Sequence, residues 1–142
     1  MNALKSIAAV VAGLIVIFVL SMATDELLHA TGVMPRGALP MRGAEGLILS
    51  VLAYRLIYSV AGCYLAARLA PSHPMRHAVV LGAIGLVLSI MGALANAQMQ
   101  LGPAWYPWAL VVLALPCAWF GGKLAEQRRA AGSRSVAASR PG

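Results

Sequence analysis

The sequence predicts an all-α, polytopic membrane protein folded as a four-helix transmembrane bundle, and three observations carry that expectation. Hydrophobic residues fill 61% of the 142 positions while charged residues fill only 11%, against roughly a quarter charged in a soluble domain. Mean hydropathy is +0.80. Four runs, 6–30, 46–70, 77–99 and 108–125, approach or exceed the ~20 helical residues needed to cross about 30 Å of hydrocarbon. The same composition excludes a water-soluble domain, a disordered chain and a nucleic-acid-binding fold, and two cysteines are too few for a disulfide-stapled secreted domain.

Backbone groups in lipid have no water to bond, so each run is expected to be helical; a β-barrel would show period-two alternation, which these runs lack. The first run is apolar from Ile7 to Leu20 and then carries Asp25, Glu26 and His29. Lys5, that apolar stretch and Ser21-Met22-Ala23 also imitate a signal peptide with a small-x-small cleavage site. Apolar character resumes at Leu27 and Leu28, which favours an uncleaved helix, and both readings stay open at this point. Gly32, Pro35, Gly37, Pro40 and Gly43 break the chain before the second run, Pro71 and Pro74 before the third, and Gly102, Pro103 and Pro107 before the fourth.

Small residues drive helix association in lipid because close backbone approach replaces the hydrophobic effect. The third run carries such a stripe: Gly82, Gly85, Ser89, Gly92 and Asn96 recur every three or four residues and share one helical face. Tyr58, Gly62 and Ala66 offer a matching face on the second run, and Ala8, Ala9, Ala12 and Gly13 one on the first. These faces are expected to pack, within one bundle or between copies of the chain. Pro116 interrupts the hydrogen-bond ladder of the fourth run and predicts a bend there, with Gly121 and Gly122 allowing close approach.

Basic residues orient the spans. Lys5, Arg68, Arg76, Lys123, Arg128, Arg129, Arg134 and Arg140 fall on one side, and Arg36 with Arg42 on the other. Eight against two places both termini in the cytoplasm. Trp105, Tyr106 and Trp108 at one end of the fourth run, and Trp119 with Phe120 near its other end, read as interfacial anchors.

Arg55 remains, inside the second run. An arginine at bilayer depth costs from ~2.5 kcal/mol upward, so it must find water or a partner. Asp25 is the first candidate and Glu26 the second; they differ by about 100° around the helix, so one of them is expected to face inward. Ser21, Asp25 and His29 share a face, Tyr54 and Tyr58 flank the arginine, and Asn96, Gln98 and Gln100 end the third run at the same level. The candidate polar cluster is therefore Asp25, Glu26, His29, Tyr54, Arg55, Tyr58 and Asn96. It is either an ion pair fixing the register of two helices or a polar cavity for a solute or protons, with His29 a candidate relay.

No metal is expected: His73 and His77 are separated by Pro74, and Met34, Met41 and Met99 are scattered. Cys63 and Cys117 form no C-x-x-C, and no G-x-S-x-G, H-E-x-x-H or phosphate-cradling loop is present. The stretch 127–142 lacks apolar periodicity and reads as a disordered basic tail against anionic headgroups, leaving 1–126 as the membrane domain. No stacking aromatics accompany its charges, which argues against nucleic acid.

Thr24-Asp25 with Leu28-His29-Ala30-Thr31-Gly32-Val33, Ala53-Tyr54-Arg55, Ala67-Arg68-Leu69-Ala70-Pro71, Trp105-Tyr106-Pro107 and Leu115-Pro116-Cys117-Ala118-Trp119 together resemble small bacterial four-helix inner-membrane proteins of unknown function. The resemblance implies a bacterial inner membrane and no substrate. Small multidrug resistance transporters carry an essential glutamate inside the first helix, where this chain has nothing acidic before Asp25. The membrane-associated glutathione-metabolising enzymes pair basic and acidic residues on the second helix, where only Arg55 corresponds. The expected role is a structural or accessory membrane component without cofactor or catalysis, contacting lipid and open to self-association. The alternative is a small solute or proton transporter using the polar cluster, and an integral-membrane enzyme is third.

Overall fold

A computed structural model describes residues 2–34, 36, 44–100 and 102–139. They form four helices, α1 (Asn2–Ala30), α2 (Glu45–Leu69), α3 (Pro74–Met99) and α4 (Trp105–Ala138), and no strand among the described residues. All four are long and apolar enough to cross a membrane. At 1.5 Å per residue even α2, with 25 residues, spans about 37 Å. Large apolar side chains such as Ile7, Phe18, Val87, Leu94, Val112 and Phe120 point outward, as they do where the surrounding medium is hydrocarbon.

Local chemistry sets the helix ends. Gly32 takes a left-handed φ of 73° just past α1, and the Met34 amide returns to the Leu28 carbonyl, folding the chain back over the last turn. Ala70 is extended, as the residue before Pro71 must be. Pro74 then occupies the first turn of α3, where its missing N–H costs nothing. Gln100 turns left-handed to end that helix. Pro35, Gly37, Pro40, Met41, Arg42 and Gly43 of the first connector, and Arg140 of the tail, lie outside the described residues.

The helix order around the bundle is α1, α2, α4, α3, with α2 touching all three others and α1 making no contact with α4. The core is made of small side chains: Cys63, Ala66 and Ala67 of α2 meet Ala78 and Leu81 of α3 and Ala118 and Ala125 of α4. At Gly13 and Gly62 the backbones of α1 and α2 are so close that a Cβ on Gly13 would stand 2.7 Å from the Gly62 carbonyl oxygen. This tight zone lies toward the end holding the N-terminus and the α2–α3 connector, here termed the tail end. The other end, with the first and third connectors, is termed the loop end.

Two expectations change. Of the α3 stripe, Gly82 packs, but on Ala118 of α4 rather than on the Tyr58-Gly62-Ala66 face of α2, whose Gly62 meets Gly13 and Ile17 of α1. Gly85 and Gly92 do not pack, since a Cβ at either would meet nothing within 4 Å. Spacing places residues on a common face but does not supply a neighbour: α3 meets α4 closely at Gly82 and leaves space above it. The second change is the tail, which continues as helix to Ala138. A helix already nucleated in the membrane gains one bond per added residue, and this stretch is rich in alanine and arginine. The Arg129 guanidinium also anchors it, facing the carbonyls of Ala67, Arg68 and Ala70 at 3.1, 2.8 and 2.5 Å where α2 runs out of intrahelical donors. α4 passes through Pro116, which is exposed, without a break in helical assignment.

Aromatic pairs sit at the start and near the middle of α4. Trp105 and Tyr106 pack edge to face at the loop end, and Trp119 packs on Phe120 with the Lys123 ammonium 4.4 Å over its ring further down.

Candidate functional site

Asp25 stands one turn before the end of α1, on the face toward α2, and Arg55 stands about 15 Å into α2 from its start. Running antiparallel, the two helices bring these side chains level. Arg55 Nη2 lies 2.5 Å from Asp25 Oδ2, and the Tyr54 hydroxyl donates to Oδ1. Both carboxylate oxygens are thus engaged from α2. The pair is half-buried, with side-chain exposures of 35% for Arg55 and 22% for Asp25.

A second contact lies beside the first. Thr24 donates its one hydroxyl hydrogen to the Leu20 carbonyl at 2.9 Å, so in the 2.8 Å contact between Thr24 Oγ1 and the Tyr58 hydroxyl the tyrosine is the donor. The Tyr54 and Tyr58 rings pack at 5.7 Å. Thr24-Asp25 of α1 and Tyr54, Arg55 and Tyr58 of α2 form one latch across the helix pair. Thr24 carries no signal in the sequence, because a threonine inside a helix ordinarily bonds its own backbone, as it also does here.

The other cluster candidates part company. Glu26 is exposed, as the 100° step from an inward-facing Asp25 requires. The His29 side chain is half-buried with no hydrogen bond or ion pair among the described residues, while its carbonyl accepts from the Gly32 amide. Asn96 lies on the far wall and donates to the Gly102 carbonyl at 3.2 Å, tying α3 to the start of α4. Tyr106, which reads as an interfacial anchor, turns into the bundle instead.

Between the latch and α3 lies a cavity of about 490 Å³, inside the 300–1,000 Å³ range of small-molecule sites. All four helices line it, including Ser21 of α1, Arg55 and Ser59 of α2, Gly85, Ser89, Gly92 and Asn96 of α3, and Tyr106 of α4. Arg55 Nε and the Tyr106 hydroxyl are buried with no hydrogen-bond partner among the described residues. An unpaired buried donor costs ~1–3 kcal/mol, and both atoms are enclosed by protein rather than open to the cavity. Cys63 and Cys117 are buried free thiols at its floor. Among the described residues no three metal-ligating side chains gather; the His77 ring faces the His73 carbonyl at 3.1 Å.

No family model matches the chain, and no curated protein and no solved structure matches it either.

Proposed function

We infer that this chain is an accessory component of a bacterial inner membrane, non-enzymatic, with both termini cytoplasmic, in which the Asp25-centred latch fixes the register of α1 against α2. The observation that carries the reading is the engagement of both Asp25 oxygens by neighbouring residues of one helix. A charge so fully paired serves geometry first, because moving it would strand Arg55 in an apolar setting. Its lipid partners are the anionic headgroups near the exposed Arg128 and Arg134 of the helical tail.

The test is a double-mutant cycle. Asp25→Asn leaves the guanidinium without its counter-charge and lowers stability by about 2 kcal/mol, less than the ~3–5 kcal/mol of a fully buried pair because Arg55 is 35% exposed. Exchanging the charges, Asp25→Arg with Arg55→Asp, restores part of the loss. Thermal unfolding in detergent reads both, and a swap no better than the single variants removes the latch from the reading.

A second reading, binding of a small solute, is favoured by a separate observation. The latch forms one wall of a cavity of small-molecule size, and Ser21, Ser89 and Asn96 place polar groups along its lining.

A further inference from the structure

The cavity follows α3 from Leu81 to Asn96, about 22 Å of helix. Its two ends differ in chemistry. Leu14, Leu81 and Ala114 enclose the tail end, whereas Ser21, Arg55, Asn96 and Tyr106 surround the loop end. Its mouth lies between α1 and α3, where Phe18 and Leu88 both line the cavity and are 65% and 52% exposed. Both stand near the middle of their helices, so the opening is level with hydrocarbon rather than water.

Resting on the solute-binding reading, we propose that the cavity takes one uncharged single-chain lipid with a hydroxyl or carbonyl head, of the monoacylglycerol or long-chain alcohol class, drawn sideways from the bilayer. The volume sets the single chain: about 490 Å³ lies in the lower half of the 300–1,000 Å³ range of small-molecule sites, room for one acyl chain rather than two. The charge balance sets the neutral head. Asp25 already neutralises Arg55 at 2.5 Å, and a second anion beside that carboxylate would be buried without a counter-ion. The lining at that end sets its chemistry, since Ser21, Ser89 and Asn96 offer neutral hydroxyl and amide groups to a head oxygen.

Depth agrees with both ends of such a molecule. Asn96 is three residues from the end of α3 and Tyr106 is in the first turn of α4, so the head lies near the interface. The tail then points toward the bilayer middle, as it does in the free lipid. Entry through the α1–α3 gap exchanges one apolar setting for another and adds the hydrogen bonds.

The experiment is native mass spectrometry of the detergent-released protein after exposure to 1-monolauroylglycerol, with lauric acid and dilauroylphosphatidylglycerol as rivals. One monolauroylglycerol per chain is expected. Ser89→Ala, which removes a hydroxyl from the lining, weakens its retention about tenfold. Gly85→Leu and Gly92→Leu abolish it without lowering thermal stability, because their side chains enter open space. Retention unaffected by the glycine variants places the lipid elsewhere and overturns the proposal. Preference for lauric acid or the phospholipid overturns the uncharged single chain while leaving solute binding in place. Retention of none of the three probes overturns both. A lipid-free dimer assigns the opening to a second copy of the chain and overturns the proposal as well.

Discussion

Asp25 and Thr24 are neighbours held by two tyrosines one helical turn apart, yet the two hydroxyl contacts differ in kind. Tyr54 donates to a carboxylate, whereas Tyr58 donates to a hydroxyl that already has its own partner at Leu20. Removing the first leaves a half-buried anionic oxygen without a donor; removing the second loses one neutral bond. Tyr54→Phe should therefore cost about 2 kcal/mol and Tyr58→Phe about 1 kcal/mol or less. Chemical unfolding of both variants in one detergent gives the comparison, and equal losses would show that the carboxylate is not the centre of the latch. The Asp25–Arg55 contact was legible in the sequence because an arginine in an apolar run has few places to go. Thr24 was not, since its cross-helix partner is 34 residues away and its residue type is ordinary in helices.

At the scale of elements, glycines of identical composition play opposite parts. Gly62 meets the Gly13 carbonyl and the Ile17 side chain, while Gly85 faces empty space. Gly62→Ala should overpack the α1–α2 contact and cost about 1–3 kcal/mol. Gly85→Ala should stabilise by up to ~1 kcal/mol, because alanine is the better helix former and nothing opposes it. Opposite signs in thermal unfolding are the expected outcome; two losses of similar size would mean that the cavity closes around Gly85 in the membrane. Sequence spacing grouped Gly82, Gly85 and Gly92 correctly on one face, but the divergence of α3 from its neighbours is a tertiary fact with no local signal. The tail differs for a related reason: its composition alone reads as a free segment, whereas it is the continuation of α4 and is pinned at Arg129.

For the whole molecule, the bundle is tight where Gly13 meets Gly62 and where Gly82 meets Ala118, and open where α1 and α3 part. Which leaflet the open half faces depends on orientation, and there the sequence carries the argument. The tail end collects Lys5, Arg68, Arg76, Lys123 and the basic residues beyond, and the loop end only Arg36 and Arg42. Basic residues are retained on the cytoplasmic side, so the proposed orientation puts the latch and the polar end of the cavity in the outer half. A membrane-impermeant thiol reagent tests this in intact cells. Arg36→Cys should react from outside, whereas Ser72→Cys, on the exposed α2–α3 connector, and Ser133→Cys, on the helical tail, should react only after permeabilisation. Cys63 and Cys117 are buried and contribute little background. The reverse pattern would invert the chain and move the polar end of the cavity to the cytoplasmic leaflet. Labelling at both faces for a single site would point to copies inserted in both directions, in which case the basic asymmetry does not set topology.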